Sequence, residues 1–91
     1  MSSCYLYILE STQNNGYYIG SSKRLDNRLH EHNTGLVKST RNKGPWIIKF
    51  FQKYNSEKEA RHIEHRLKKF RRRDIIEKII SDGIIKINPG V

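Results

Sequence analysis

Apolar side chains are grouped along this 91-residue chain in two kinds of pattern, dense runs typical of strands and a spacing of three to four residues typical of helices. Three runs are dense in aromatic and aliphatic residues and predict strands, at 4–9, 17–21 and 46–54. Residues 13–16 lie between the first two runs, and their Asn and Gly residues favour a tight turn. The first two strands are therefore expected to form a hairpin.

Two further segments show helical spacing. A first helix is predicted to run to about residue 33, with Ser21 or Ser22 as its N-cap and Gly35 at its end. A second helix is expected to open with a capping box formed by Ser56 and Glu59. Its core stripe has four residues at helical spacing: Ala60, Ile63, Leu67 and Phe70.

The end of the chain continues this alternation of elements. A break at 73–74 is expected to lead into a shorter helix over 75–80, ending at 82–83, and the tail at 84–91 predicts a small edge strand. The complete order is β-β-α-β-α-α with short connections. It predicts an α+β fold, in which a small three-stranded antiparallel sheet is flanked by helices within one domain, residues 1–91.

Net charge narrows the range of partners. Lys and Arg number 18 against 9 Asp and Glu, a net charge of +9 that attracts nucleic acid or an anionic membrane surface. No apolar run approaches the roughly 20 residues that cross a bilayer, and the N-terminus lacks an export-signal pattern. We expect a cytoplasmic protein. Cys4, the single cysteine, is expected to be a small buried residue rather than a nucleophile.

Arg28 and His32 are the first candidates for chemistry. They lie four residues apart beside the apolar stripe of the first predicted helix, so both border the face that packs on the sheet. The alternative is structural: Arg28 extends along the packed face with its charge in solvent, and His32 caps the helix end. The pattern alone leaves both interpretations open.

The tyrosines are the second candidate group. Tyr5 and Tyr7 point to one face of the first strand. Tyr7 and Tyr18 share a face only if the hairpin pairs odd-numbered with even-numbered residues, which the sequence does not determine. Strand propensity alone is the alternative explanation for these aromatic side chains.

Glu64 is the acidic residue nearest the middle of a second helix that is dense in Lys, Arg and His. One carboxylate together with phosphate oxygens and water suits Mg²⁺. The alternative is an i,i+4 ion pair with Lys68, which stabilises a helix only slightly. His62 and His65 have no third ligand at a zinc spacing and are expected to project outward. The basic run at 68–73 indicates either a solvated face or contact with nucleic acid.

Taken in order, these motifs resemble the GIY-YIG endonuclease family, and most of all its small stand-alone bacterial members. Tyr5-Leu6-Tyr7 stands at the family's first triplet, with a tyrosine in place of the glycine, and Tyr18-Ile19-Gly20 matches the second triplet in full. Arg28 and His32 fall at the helix positions that family members use. The segment around Glu64 resembles the helix that carries the metal-binding glutamate.

The resemblance implies hydrolysis of a phosphodiester with one divalent cation, Mg²⁺ or Mn²⁺, held by Glu64. Tyr18, or Tyr7 beside it, would take a proton from the attacking water, as a phenolate or as a relay. Arg28 would stabilise the charge of the transition state, and His32 would orient the water or assist the proton transfer.

We therefore expect a metal-dependent endonuclease that acts on DNA, directed by DNA structure or by a protein partner, with no membrane contact. The alternative is a nucleic-acid-binding module that keeps the nuclease fold with little or no turnover. The residues expected to contact nucleic acid are all basic: Lys23, Arg41, Arg61, Lys68, Arg71, Arg72 and Arg73.

Overall fold

The computed structural model describes residues 3–70 and 72–86. Its elements follow the predicted order and confirm the α+β fold with a three-stranded antiparallel sheet. They are β1 (Cys4–Ser11), β2 (Tyr17–Ser22), α1 (Leu25–Asn33), a short 3-10 helix (Lys38–Thr40), β3 (Trp46–Tyr54), α2 (Glu57–Phe70) and α3 (Arg73–Asp82). No helix within the described ranges is both long and apolar enough to cross a membrane.

The sheet has the order β2-β1-β3, so the most apolar strand is central and both of its faces are covered. Leu6 and Ile8 point to one face and pack with the buried residues of α2 and α3. Tyr7 and Leu9 point to the other face, where Trp46 and the apolar residues of α1 cover them. Cys4 is buried with the first group, as expected.

Hairpin register decides where the tyrosines point. Tyr7 pairs with Gly20 and Leu9 pairs with Tyr18, so odd-numbered residues lie opposite even-numbered ones. Residues that pair across antiparallel strands point to the same face. Tyr7 and Tyr18 therefore lie on the same face of the sheet, which is the face that α1 covers.

Helix α1 begins later than its serines predicted. Ser21 and Ser22 still belong to β2, and Arg24 is the N-cap without a side-chain capping bond, so the prediction of a serine cap is wrong. The backbone is still extended at the serines, and Ser22 Oγ accepts from the Arg24 amide at 3.1 Å, just before the first residue of α1. Gly35 does follow the helix end, with φ of +83°.

Ser56 caps α2 as predicted, because the Glu59 amide donates to Ser56 Oγ at 3.2 Å. The capping box is incomplete, because Glu59 Oε1 accepts from the Asn55 amide at 3.2 Å and not from the Ser56 amide. Three members of the predicted core stripe of α2 are buried: Ala60, Ile63 and Leu67. The fourth prediction is wrong, because Phe70 is 39% exposed. Phe70 is the last residue of α2 and lies at the rim of an apolar cleft that it shares with α3, rather than under the sheet.

Three further expectations after β3 need correction. The break between the last two helices precedes Arg73, so α3 is longer than predicted at both ends. Residues 84–86 do not form the predicted edge strand. The Gln52 side chain bonds the amide and the carbonyl of Ile85 instead. The rest of the predicted strand, residues 87–91, lies outside the described residues. His62 does not project outward: its Nε2 is buried, with no hydrogen-bond partner in the described part of the chain.

Candidate active site

A cavity of about 450 Å³ lies at the β2 edge of the sheet, between α1 and α2. It brings together four of the five predicted catalytic residues, each from a different element of the fold. Its lining residues are Tyr7, Tyr18, Gly20, Ser21, Arg28, Arg61, Glu64, His65 and Lys68. The fifth predicted residue, His32, does not line the cavity: it is buried behind the tyrosines and contacts both of them.

Gly20 makes room for the Tyr7 ring. A Cβ atom at position 20 would lie 2.6 Å from Tyr7 Cζ, a distance that real Cβ atoms do not adopt. Because the two residues pair directly across β1 and β2, the ring of Tyr7 lies over the glycine and extends into the cavity. The glycine of the second triplet is therefore needed for the position of the tyrosine in the first.

A buried chain of hydrogen bonds holds Tyr7. Its hydroxyl lies 2.9 Å from His32 Nε2, and His32 Nδ1 lies 2.8 Å from Thr40 Oγ1. Thr40 Oγ1 donates to the Val37 carbonyl at 3.4 Å, so it accepts a hydrogen from His32 Nδ1. Nε2 is then the acceptor for the Tyr7 hydroxyl. Sequence reasoning missed Thr40 as a site residue, because the short 3-10 helix that it ends carries no periodic pattern.

Burial controls the ionisation of this pair. Burial, together with the nearby Arg28 charge, lowers the pKa of His32 to about 4, so the imidazole is neutral at neutral pH. Burial also raises the pKa of Tyr7 to about 12, although Arg28 opposes that shift. Tyr7 therefore stays protonated and donates to His32. Tyr18 is only half-buried, so its ring is the more accessible phenol of the two.

Arg28 supplies a positive charge at the cavity. Its Nη1 donates to Glu31 Oε1 at 3.0 Å, one helical turn further along α1. The hydrogen bonds to Glu31 and to Tyr7 raise the pKa of Arg28, so the guanidinium stays charged. Its side chain is 36% exposed, which leaves donors free toward the cavity. Glu31 was not expected from the sequence.

Glu64 has partners on both of its oxygens. Ser21 Oγ donates to Oε1 at 2.6 Å, and Lys68 Nζ donates to Oε2 at 2.7 Å. The ion pair with Lys68 that the sequence offered as an alternative is therefore present. Ser21 was missed, although its place directly after the second triplet puts it at the strand end nearest the cavity.

The donor set fits a hard cation that keeps most of its water. The described residues contain no group of three or more His, Cys, Asp or Glu side chains arranged to hold a metal ion. Glu64 is the one carboxylate among the residues that line the cavity, and Mg²⁺ is commonly held by one or two carboxylates with phosphate oxygens and water. The positive charge of Lys68 at Oε2 would repel such an ion, so binding of the ion favours displacement of Lys68 from that oxygen.

The predicted nucleic-acid contacts fall into two groups. Arg61 and Lys68 line the cavity, and Lys23 lies in a depression that adjoins it. Lys68 Nζ also lies 5.4 Å from the centroid of the Tyr18 ring. These basic side chains surround Glu64 and Arg28 on one side of the molecule.

The other predicted basic contacts lie elsewhere. Arg41 Nε donates to the Gly35 carbonyl at 2.9 Å, beyond the end of α1. Arg72 pairs with Asp74 at 2.7 Å, and Arg73 pairs with Glu77 at 3.1 Å. Arg71 lies outside the described residues. Contact of these four arginines with nucleic acid stays a prediction.

The model of the GIY-YIG catalytic domain matches residues 3–78. The chain belongs to this family. Its resemblance to small stand-alone members is confirmed by the UPF0213 protein CPE1444 of Clostridium perfringens, which is 32% identical over 92% of this chain and 90% of that protein. The UPF0213 protein OB0043 of Oceanobacillus iheyensis is 35% identical over 75% of this chain and 79% of its own length.

A solved structure shows the same fold in a GIY-YIG relative. It is the solution NMR structure of the UPF0213 protein BH0048 from Bacillus halodurans, with a TM-score of 0.56 and 29% identity. The match covers 89% of this chain and 86% of that one. The family is one of nuclease domains, so this chain carries a nuclease-type domain whose substrate class is nucleic acid.

Proposed function

We propose that this protein is a divalent-metal-dependent endonuclease that hydrolyses phosphodiester bonds of DNA. The observation that carries the proposal is the single cavity in which Glu64 and Tyr18 meet three cations, Arg28, Arg61 and Lys68. A phosphate group placed there would lie among positive side chains, with one carboxylate and one accessible phenol at hand. That combination supports hydrolysis more than simple retention of a polyanion.

Glu64 would hold Mg²⁺ or Mn²⁺, which when bound supplies positive charge at the scissile phosphate and at the leaving oxygen. Arg28 would donate to the non-bridging oxygens, where negative charge increases in the transition state. Lys68, once displaced from Glu64, would offer a second cation to the same phosphate. Ser21 would keep Glu64 Oε1 in place while Oε2 changes its partner.

Tyr18 is the residue best placed to receive the proton of the attacking water, since its phenol borders the cavity and is half-buried. Tyr7 is held protonated by burial and by its bond to His32, so it would orient rather than deprotonate. His32 would keep the Tyr7 hydroxyl in one position, with its own ring fixed by Thr40. The tyrosines and His32 thus have separate roles.

Phosphate contacts position a nucleic acid without specifying its sequence. Because the cavity offers phosphate contacts, selectivity would come from DNA shape or from a protein partner. A cytoplasmic location agrees with the free, buried thiol of Cys4, since disulfides are rare in that compartment.

One observation favours a second candidate function, a nucleic-acid-binding module without turnover. Both oxygens of Glu64 are already bonded, to Ser21 and Lys68, as in a purely structural ion pair. In such a module the same cations would bind the phosphate backbone, and Glu64 would only fix Lys68.

Cleavage of branched, nicked and linear DNA, with Mg²⁺ or Mn²⁺ added, separates the two functions. We expect cleavage by the wild type and a loss of about 100-fold or more in Glu64→Gln and in Arg28→Ala. Glu57→Gln is the matched control, because Glu57 lies on the same helix and also pairs with a basic residue, Arg61. It should cleave like the wild type.

Circular dichroism should show that all these variants fold. A wild-type protein that binds the three DNA substrates but cleaves none of them, with either metal, would refute the endonuclease and leave the binding module. Equal loss of cleavage in Glu57→Gln and Glu64→Gln would refute the specific role of Glu64.

A further inference from the structure

A second depression, of about 500 Å³, lies on the α1 side of the sheet between the start of α1 and β3. We call it the aromatic groove. Its walls are mostly apolar, with Tyr5 and Phe51 from neighbouring strands and Leu25 from α1. Lys23 and Arg24 border it as well. Lys23 is among the nucleic-acid contacts predicted from the sequence, whereas Tyr5, Phe51, Leu25 and Arg24 have no part in the candidate active site described above.

Phe51 is the unusual residue of the aromatic groove, because a large apolar side chain in mid-strand is 55% exposed. Phe51 lies opposite Tyr7 across β1 and β3, and Tyr5 lies two residues further along, opposite Lys53. The Tyr5 and Phe51 rings meet edge to face with centroids 6.0 Å apart. An edge-to-face contact leaves a ring face of Phe51 free. Exposed aromatic faces on a sheet bind nucleobases by stacking.

Basic residues connect the aromatic groove to the candidate active site. A third depression shares Ser21, Arg28 and Arg61 with the active-site cavity. The same depression shares Lys23 and Arg24 with the aromatic groove. Its lining has four basic side chains against two acidic ones, Glu31 and Glu57, so a path of net positive charge leads from the cavity to the groove and is complementary to a phosphate backbone.

We propose that the aromatic groove binds an unpaired nucleobase of the strand whose phosphate lies in the active-site cavity. The base stacks on Phe51, and Lys23 and Arg24 bind the phosphates that lead to it. Asp26 also lines the groove and offers an acceptor to an exocyclic amine of the base. Bases inside a duplex are already stacked on their neighbours and cannot enter the groove without leaving the helix.

This inference rests on the proposed function and defines its substrate class. The preferred substrates are nucleic acids with unpaired nucleotides beside the scissile bond, such as single strands, flaps or bulges. A fully paired duplex fills only the cationic path and leaves the aromatic groove empty.

The test measures binding apart from cleavage, in a Glu64→Gln background. The probes are a DNA flap with 2-aminopurine in its unpaired arm and a fully paired duplex with 2-aminopurine in one strand. Stacking on Phe51 should quench the flap fluorescence. Phe51→Ala should weaken flap binding about 5- to 150-fold and abolish the quench, while duplex affinity changes less than about twofold.

Two further variants separate stacking from general effects. Phe51→Leu keeps an apolar side chain without a ring and should lose the quench, whereas Phe51→Trp should keep it. Ile47→Ala is the matched control: Ile47 is 45% exposed on the same strand, and its pairing with Glu10 turns it to the opposite face. Ile47→Ala should bind both probes normally.

Each outcome decides the inference separately from the proposed function. Equal flap binding by Phe51→Ala and Ile47→Ala overturns base binding in the aromatic groove. The absence of any flap binding overturns it as well. Both conclusions hold whether or not the wild type cleaves DNA. Binding that depends on Phe51, in a wild-type protein that cleaves nothing, supports the groove while refuting the endonuclease.

Discussion

Mild acid should destabilise the folded protein, because His32 is buried in its neutral form. The imidazole is 2% exposed and bonded on both ring nitrogens, as acceptor from Tyr7 and as donor to Thr40. Protonation at Nε2 would break the bond from the Tyr7 hydroxyl and place a buried charge beside Arg28. The unfolded chain has no such cost, so it binds a proton at higher pH than the folded protein does.

The magnitude follows from the two pKa values of His32. Burial lowers the folded value to about 4, and the unfolded value is 6.5. The unfolded chain therefore binds more protons between these values, and stability falls as the pH falls through them. At about 1.4 kcal/mol for each pH unit, the full loss is about 3 kcal/mol, of which about 2 kcal/mol is reached by pH 5. Above pH 6.5 the contribution of His32 is fully present.

Urea unfolding between about pH 8 and pH 5 measures this loss. The informative quantity is the difference between the wild type and His32→Gln, because the contributions of groups that both proteins share cancel in it. His32→Gln should lose about 2 kcal/mol less than the wild type over that range. His30→Gln is the matched control, since His30 is an exposed histidine on the same helix, and it should follow the wild type.

An NMR titration of the histidine rings adds a direct measurement. The His32 ring should stay neutral, with its proton on Nδ1, down to about pH 5. A wild-type stability curve that parallels that of His32→Gln would refute this reasoning, and so would a His32 ring that titrates near 6.5.

Three other perturbations have defined outcomes. Gly20→Ala should destabilise the protein by about 1–3 kcal/mol in urea unfolding and lower DNA cleavage, because the new Cβ collides with the Tyr7 ring. Gly16→Ala in the hairpin turn is the control and should cost less than about 1 kcal/mol. Equal costs for the two would contradict the close packing. Thr40→Val should cost about 1–3 kcal/mol because it leaves the His32 Nδ1 hydrogen without an acceptor; an unchanged unfolding midpoint would contradict the assigned tautomer. A chelator should abolish cleavage while leaving the thermal midpoint in place, since the contacts of the cavity are made by side chains; cleavage that persists would contradict metal dependence.

Local rules in the sequence determined the elements of the fold. The third strand was predicted with the bounds that it has, and Ser56 caps the start of α2 as expected. Gly35 ends α1 in the left-handed conformation that glycine favours. These features depend on residues within one turn or one strand, so they can be predicted without knowing the tertiary fold. The predictions of a serine cap for α1 and of a buried Phe70 were wrong. Both concern the end of an element, where contacts with residues distant in the sequence determine the structure.

The sequence also indicated the candidate catalytic residues, but their roles came only from its resemblance to the GIY-YIG family. Arg28 and Glu64 could be assigned to helices by periodicity, and both line one cavity in the structure. Periodicity could not choose between a functional Glu64 and its ion pair with Lys68. The roles of these residues stay predictions until the variants are measured.

Tertiary structure alone decided how the candidate site is assembled. The pairing of Tyr7 with Gly20 depends on hairpin register, which turns every side chain to one face or the other. The bonds from Ser21 to Glu64 and from His32 to Thr40 join residues far apart in the chain or in an irregular loop. No sequence period encodes such contacts, because they arise from the packing of α1 and α2 around the edge of the sheet. The same packing leaves Phe51 exposed and creates the aromatic groove.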